Sequence, residues 1–313
     1  MSVYLVTGGA GFIGSHIVAR LIERGDRVRV LDDFSSGRRE NVASHANLEV
    51  IDGDVADLAT VQRAAAGAAF VIHQAAIPSV PRSVKDPVRS HRANVDGTLN
   101  MLVAARDAGV KRLVFAGSSS VYGDAAVLPK REDMRPGPLS PYALQKLVGE
   151  QYCQLFTRLY GLETVTTRYF NVFGPRQQPG SPYSGVISLF IDALASNRGP
   201  LVLGDGKQTR DFTFVGDVVT GVLRCCEAPN VSGEVINLAC GGRISLLDLI
   251  RSLQTILKVS TQPTFGPPRD GDVRDSQADI QKARKLLDFT PTVSFEEGLR
   301  RTVEWHQSTV AQR

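Results

Sequence analysis

Four cysteines occur in 313 residues, and Cys153, Cys225, Cys226 and Cys240 have neither metal-ligand spacing nor the look of a disulfide frame. Reduced, buried thiols are therefore expected. The five histidines include no H-E-x-x-H pattern, so no metal is expected. A continuous run of about 18 apolar residues, the minimum for a membrane-spanning helix, is absent. The chain opens on a strand followed by glycines, without a charged n-region and apolar h-region, so a cytoplasmic protein rather than a secreted or membrane one is expected. Lys and Arg number 36 against 32 Asp and Glu, a formal charge of +4. No basic cluster interleaved with aromatics accompanies that balance, which argues against nucleic acid and suits a small anionic ligand. With 42% hydrophobic residues, the chain is long enough for two cores.

What is present begins at the third residue. Val3-Tyr4-Leu5-Val6-Thr7 is an apolar run of strand length, followed by Gly8-Gly9-Ala10-Gly11-Phe12-Ile13-Gly14 and an amphipathic segment from Ser15 to Arg24. Strand, glycine turn and helix in that order let the backbone approach a pyrophosphate at the helix N-terminus, and the glycines fit G-x-G-x-x-G. Arg27 to Leu31 reads as a second strand ending at Asp32, about 20 residues on, where a carboxylate accepts adenosine ribose hydroxyls. A carboxylate there also repels a 2′-phosphate, so NAD is expected over NADP, with Arg38 and Arg39 nearby.

Further apolar runs, Leu48-Ile51, Phe70-His73, Arg112-Gly117 and Glu163-Tyr169, alternate with segments of helical period. This is the pattern of a doubly wound parallel sheet, an α/β Rossmann fold. From Asn171 the regularity gives way to loops rich in Gly, Pro and Ser, then a helix near Val186-Ser196 and the turn Gly204-Asp205-Gly206. A smaller mixed α/β domain over the carboxyl ends of the strands is expected. Residues 1–170 plus about 212–238 form the nucleotide-binding domain in this reading, and about 171–211 plus 239–313 the substrate domain. Phe212-Cys226 and Glu234-Leu238 return to the first sheet.

Tyr142 and Lys146 stand four positions apart behind Ser140-Pro141, which reads as a helix cap and a first-turn proline. The spacing places both side chains on one helical face. A tyrosine with an ordinary pKa of about 10 serves as a base near neutrality only if neighbouring positive charge stabilises its phenolate. Lys146 is placed to supply that charge.

Taken together, Thr7 to Gly14, Gly53-Asp54-Val55, His73-Gln74-Ala75-Ala76, Asn94-Val95-x-Gly97-Thr98, Ser118-Ser119-Ser120-Val121-Tyr122-Gly123, Tyr142 to Lys146 and Arg168 to Pro175 resemble the extended short-chain dehydrogenase/reductase family of the nucleotide-sugar type. The resemblance spans nearly the whole chain. It implies a bound NAD held by Gly8, Gly11, Phe12, Ile13, Gly14, Asp32, Asp33, Ser35, Ser36, Gly37, Asp54, Val55, Gln74, Ala75, Ala76, Asn94, Tyr169 and the pair Tyr142 and Lys146. Ser118 is implied as the third catalytic residue beside Tyr142 and Lys146, with Ser119 and Ser120 also at the sugar. Asn171, Val186, Arg210, Arg269, Asp272 and Ser276 are implied to hold the rest of a UDP-hexose, with Tyr183 to Ile187 over the uracil edge.

Relatives that eliminate water or carboxylate carry an acidic residue just before the Val-Tyr-Gly, and Ser119-Ser120 stands there instead. The resemblance therefore implies 4-epimerisation through a transient 4-keto sugar, with NAD retained throughout, on UDP-glucose and UDP-galactose. The small Ser276 implies room for N-acetylhexosamines as well, unless Gln277 fills the gap. A dehydratase or reductase of the same family, or a non-catalytic dinucleotide sensor, is the alternative. A homodimer through helices at Val84-Gly109 and Pro141-Tyr160 is the implied assembly.

Overall fold

The computed structural model of the chain describes residues 2–177, 185–268 and 273–311. Seven parallel strands form one sheet in the order β3-β2-β1-β4-β5-β6-β11. These are β1 (Val3–Thr7), β2 (Arg27–Asp32), β3 (Leu48–Asp52), β4 (Phe70–His73), β5 (Arg112–Ser118), β6 (Glu163–Tyr169) and β11 (Val235–Leu238). The strand order reverses between β1 and β4, so a crevice opens outside their carboxyl ends.

Strands buried on both faces read as continuous apolar runs, and the side chains divide with period two between two cores. Tyr4 and Val6 pack beneath α1 (Phe12–Glu23), while Leu5 packs with Val61 of α2 (Leu58–Ala65) and with Phe115 and Met101 on the other face. Each fully buried residue of this kind contributes roughly 1.5–3 kcal/mol.

Between β4 and β5, the structure departs from the single helix expected over 84–109. The chain forms α3 (Val80–Lys85), α4 (Pro87–His91), a π-helical stretch over Arg92–Asp96, and α5 (Gly97–Asp107). Proline at 87 disfavours helical backbone at Asp86, which leaves α3 and caps α4 by accepting from Arg89 N. The long helix α6 (Pro141–Tyr160) follows β5. Ser140 caps it by accepting from Ala143 N at 3.2 Å, and Gly161 ends it in the left-handed region at φ 70°.

After β6 come β7 (Val172–Phe173), α7 (Val186–Ala195), β8 (Leu201–Leu203), β9 (Thr209–Arg210), β10 (Thr213–Phe214) and α8 (Val215–Glu227), which packs against α1. The chain rejoins the sheet at β11, then forms β12 (Ile244–Ser245), α9 (Leu246–Leu257), β13 (Thr264–Gly266), α10 (Gln281–Leu287) and α11 (Phe295–Ala311). Three two-stranded ladders, β10-β7, β12-β9 and β13-β8, shape this region above the sheet. Among the described residues no helix is long and apolar enough to cross a membrane. Cys153, Cys225 and Cys226 are buried free thiols, and Cys240 is half-buried.

Candidate active site

A cleft of about 1130 Å³ runs across the carboxyl ends of β1, β2, β4, β5 and β6. Its floor is built by glycines that tolerate no side chain. A Cβ on Gly8, whose φ is +66°, would lie 2.7 Å from Ala75 N, and one on Gly14 would lie 2.2 Å from Gly8 O. Gly11 is the N-cap of α1 and contributes no side-chain cap, so donors of the first turn are left for a ligand.

Asp32 ends β2 at the cleft and is 6% exposed. Its carboxylate accepts from Ala10 N and Phe34 N, both at 2.9 Å, and has further lone pairs for ribose hydroxyls. Burial pushes its pKa up, against the pull of those two backbone donors. Arg39 is committed to an ion pair with Asp52 and lies over the Phe34 ring. An uncapped helix start, an acceptor at the end of β2 and a floor without side chains fit a dinucleotide.

Behind the cleft, buried polar groups hold the loop after β4. Thr7 Oγ1 accepts from Ala75 N and donates to His73 Nδ1 at 2.7 Å, while His73 Nε2 donates to Thr98 Oγ1. The His73 pKa is pushed down to about 3 by burial and by the Lys146 ammonium, so the ring is neutral. Thr98 in turn donates to Asn94 O. Asn94 Oδ1 accepts from Ile77 N at 2.7 Å and its amide donates to Gln145 Oε1 at 2.9 Å. Asn94 therefore sits behind the wall, 1% exposed, and does not line the cleft as a nicotinamide contact would. The π-helical register at 92–96 places it there.

The chemistry-bearing groups converge where β5 meets α6. Gly149 lets the helix approach the strand closely, since a Cβ there would lie 2.5 Å from Phe115 Cζ. Lys146, one turn earlier and 3% exposed, donates to Ala116 O at 2.8 Å and lies 5.0 Å from the centre of the Phe115 ring. Burial pulls its pKa down to about 8. Tyr142 lies half-buried in the cleft wall, its backbone N–H donating to Ser83 Oγ. Burial of its phenol raises the pKa, and the neighbouring Ser118 hydroxyl opposes that rise.

Ser118 ends β5 and caps the following turn, accepting from Ser120 N at 3.2 Å and Ser120 Oγ at 2.9 Å. All three consecutive serines line the cleft, and Ser118 is the one whose hydroxyl lowers the Tyr142 pKa. Gln74 Nε2 donates to Tyr169 OH at 2.9 Å beside them.

The cleft also brings together Gly8, Gly11, Phe12, Ile13, Gly14, Asp33, Ser35, Ser36, Asp54, Val55, Gln74, Ala75, Ala76, Tyr169, Asn171, Arg210 and Ser276. Gly37 stands behind Asp32, where a Cβ would meet Asp32 Oδ1 at 2.9 Å, and Val186 begins α7 outside the cleft lining. Gly185 lines the cleft, whereas Tyr183, Arg269 and Asp272 lie outside the described residues. Arg210 sits on β9 with Nη1 donating to Thr209 O and Arg274 O.

Three consequences of the geometry were not foreseen from the sequence. Asp211 accepts from Cys240 N, Gly241 N and Ala278 N, and so fastens the strap carrying Ser276; burial pushes its pKa up to about 6. Lys130, 2% exposed, and Arg176 also line the cleft from loops.

A parallel sheet with a dinucleotide crevice at its switch point, and a Ser-Tyr-Lys constellation beside it, defines a nicotinamide-cofactor oxidoreductase-type site. The chain belongs to the NAD dependent epimerase/dehydratase family, matching it over residues 4–239, and its cofactor is NAD. It is 40% identical over 309 residues to a UDP-glucose 4-epimerase of Mycolicibacterium smegmatis, covering 97% of this chain and 98% of that one. A UDP-N-acetyl-alpha-D-glucosaminuronate decarboxylase of Bacillus cytotoxicus is 34% identical, with 96% of each chain covered. The solved UDP-N-acetylglucosamine 4-epimerase of Methanobrevibacter ruminantium M1, in complex with UDP-N-acetylmuramic acid, superposes with a TM-score of 0.95 at 38% identity, over 98% of this chain and 99% of that one.

Proposed function

We propose that the chain is a UDP-hexose 4-epimerase that interconverts UDP-glucose and UDP-galactose through a transient 4-keto sugar and also accepts the N-acetylhexosamines. The observation that carries the reading is the convergence of Ser118, Tyr142 and, one helical turn on, Lys146 in the lining of one cleft, in a wall without a carboxylate at 119 or 120. Tyr142 takes the 4-hydroxyl proton and later returns it, while Ser118 orients the 4-oxygen. Lys146 favours the phenolate. When bound, NAD supplies the hydride acceptor and donor for the same carbon. Asn171 and Arg210, with Arg269 and Asp272, grip the nucleotide, and the hexose turns over between the two half-reactions. The segments 171–211 and 239–313 act as the substrate domain in this reading.

The test is an NMR assay of the purified protein, without added NAD, on UDP-glucose and UDP-N-acetylglucosamine in parallel. Both are expected to convert to their C4 epimers with no net NADH release. Loss of water or carboxylate from another nucleotide sugar, without epimerisation, would instead favour the dehydratase and decarboxylase branch.

Room for the acetyl group is attributed to Ser276, which lines the cleft. Gln277 does not fill the gap, because its amide donates to Gly241 O at 2.9 Å. Ser276→Tyr is expected to lower N-acetyl turnover more than about tenfold while sparing UDP-glucose, since a blocked subsite discriminates on that scale.

We further propose a cytoplasmic homodimer, as suits an enzyme of NAD and nucleotide sugars with free thiols. Leu144, Leu155 and Leu159 form one exposed stripe along α6, and Val84 and Val88 stand exposed on α3 and α4, which pack beside it. Pairing of these faces makes a four-helix bundle. A Leu155→Glu, Leu159→Glu double variant is expected to sediment as a monomer where the unaltered chain sediments as a dimer.

A further inference from the structure

Arg176 occupies a position that is difficult to explain as a surface charge. Its backbone lies in the left-handed region at φ +67°, which residues other than glycine adopt uncommonly. Arg176 lines the cleft, and its Nη1 donates to Ser15 O at 3.0 Å on α1. A second bond joins the neighbouring residues of the same two segments, His16 Nε2 donating to Pro175 O at 2.9 Å. His16 is held neutral by burial, with Arg176 adding to the effect.

Loop 175–176 is thus clasped to the helix whose uncapped first turn faces the cleft. Burial pushes the Arg176 pKa down, and among the described residues no carboxylate opposes it. A partly desolvated cation without an anionic partner is unfavourable until an anion arrives. One Nη1 bond leaves most of the guanidinium fork available, a geometry that matches phosphate oxygens.

We propose that Arg176 is a diphosphate-binding residue of this cleft, gripping a nucleotide diphosphate together with the first turn of α1. The inference rests on the cleft being a nucleotide site, and it requires no particular reaction. Two molecules carry this chemistry, the dinucleotide cofactor and the nucleoside diphosphate of the sugar substrate.

Arg176→Gln and Arg176→Lys, purified as full chains, distinguish them. Bound NAD per chain is counted after denaturation, and UDP and uridine are titrated by calorimetry. Loss of a charge-assisted phosphate contact is expected to weaken the affected ligand about 10- to 100-fold in Arg176→Gln, with Arg176→Lys recovering part of it and uridine unaffected. Depleted NAD with unchanged UDP affinity assigns Arg176 to the cofactor. Weakened UDP binding with full NAD assigns it to the substrate. Unchanged NAD content and UDP affinity would overturn the proposal, and so would UDP and uridine weakening in parallel, since the guanidinium would then only prop the loop. Neither readout needs turnover, so failure of the epimerase reading leaves this test intact.

Discussion

Replacing Tyr142 with phenylalanine is expected to lower turnover of UDP-glucose by about 10³-fold while leaving the bound NAD and the thermal midpoint nearly unchanged. The phenol oxygen is the group placed to move the 4-hydroxyl proton, and removing it deletes the base without disturbing the helix. Tyr142 is anchored by its backbone to Ser83 Oγ, and Ser140 caps α6 ahead of it, so neither anchor depends on the hydroxyl. The neighbouring Ser118 hydroxyl keeps Ser120 N and Ser120 Oγ as donors when the phenol oxygen is removed. Near-normal turnover in the variant, read by the same NMR assay, would exclude Tyr142 as the base. Loss of NAD together with activity would instead make the tyrosine chiefly a cofactor contact.

The strands that build the sheet were legible because each is a short apolar run bounded by turn residues. Val3–Thr7, Phe70–His73 and Glu163–Tyr169 form with the bounds that their composition suggests. α6 was equally legible, since Ser140, Pro141 and Gly161 mark its two ends locally. The helix at 84–109 was not read correctly, although Pro87 carries the signal for its break. The π-helical stretch at 92–96, which sets Asn94 between Ile77 and Gln145, has no comparable mark in the sequence.

Site residues followed the same division. Glycines and Asp32 sit at strand ends, where position along the chain determines position in the cleft. Arg176 and Lys130 reach the cleft from loops whose paths are set by distant partners. Pro175 is held by His16, and Lys130 N donates to Gln277 O at 2.7 Å. Nothing within a few residues of either cation announces those contacts.

Lys146→Met is expected to do two opposite things, lowering turnover by about 10²-fold or more and raising the thermal midpoint by a few degrees. The ammonium is buried with Ala116 O as its hydrogen-bond acceptor and, among the described residues, no carboxylate beside it. Its pKa falls from the ordinary 10.5 to about 8, which corresponds to a burial penalty of roughly 3 kcal/mol. Leaving Ala116 O without that donor costs about 1–2 kcal/mol, so a net gain of roughly 1–2 kcal/mol remains for a methionine of similar shape. In a chain of this size, that is a rise of a few degrees.

The pH dependence separates this cause from better packing. Below pH 8 the lysine is charged in both folded and unfolded chains, and the whole penalty is present. Between about 8 and 10.5 the folded chain binds fewer protons than the unfolded one, so the stability of the unaltered protein rises with pH. The advantage of Lys146→Met should therefore be largest below pH 8 and fade by about 10.5. Turnover of the unaltered enzyme should decline above about pH 8, as the charge favouring the phenolate is lost. A stability gain independent of pH would mean that the ammonium is not the source of the penalty. A variant less stable at pH 7 would mean that the Ala116 bond outweighs it. A gain that is largest below pH 8 and fades by about 10.5 places the lysine among residues kept for chemistry at a cost in stability.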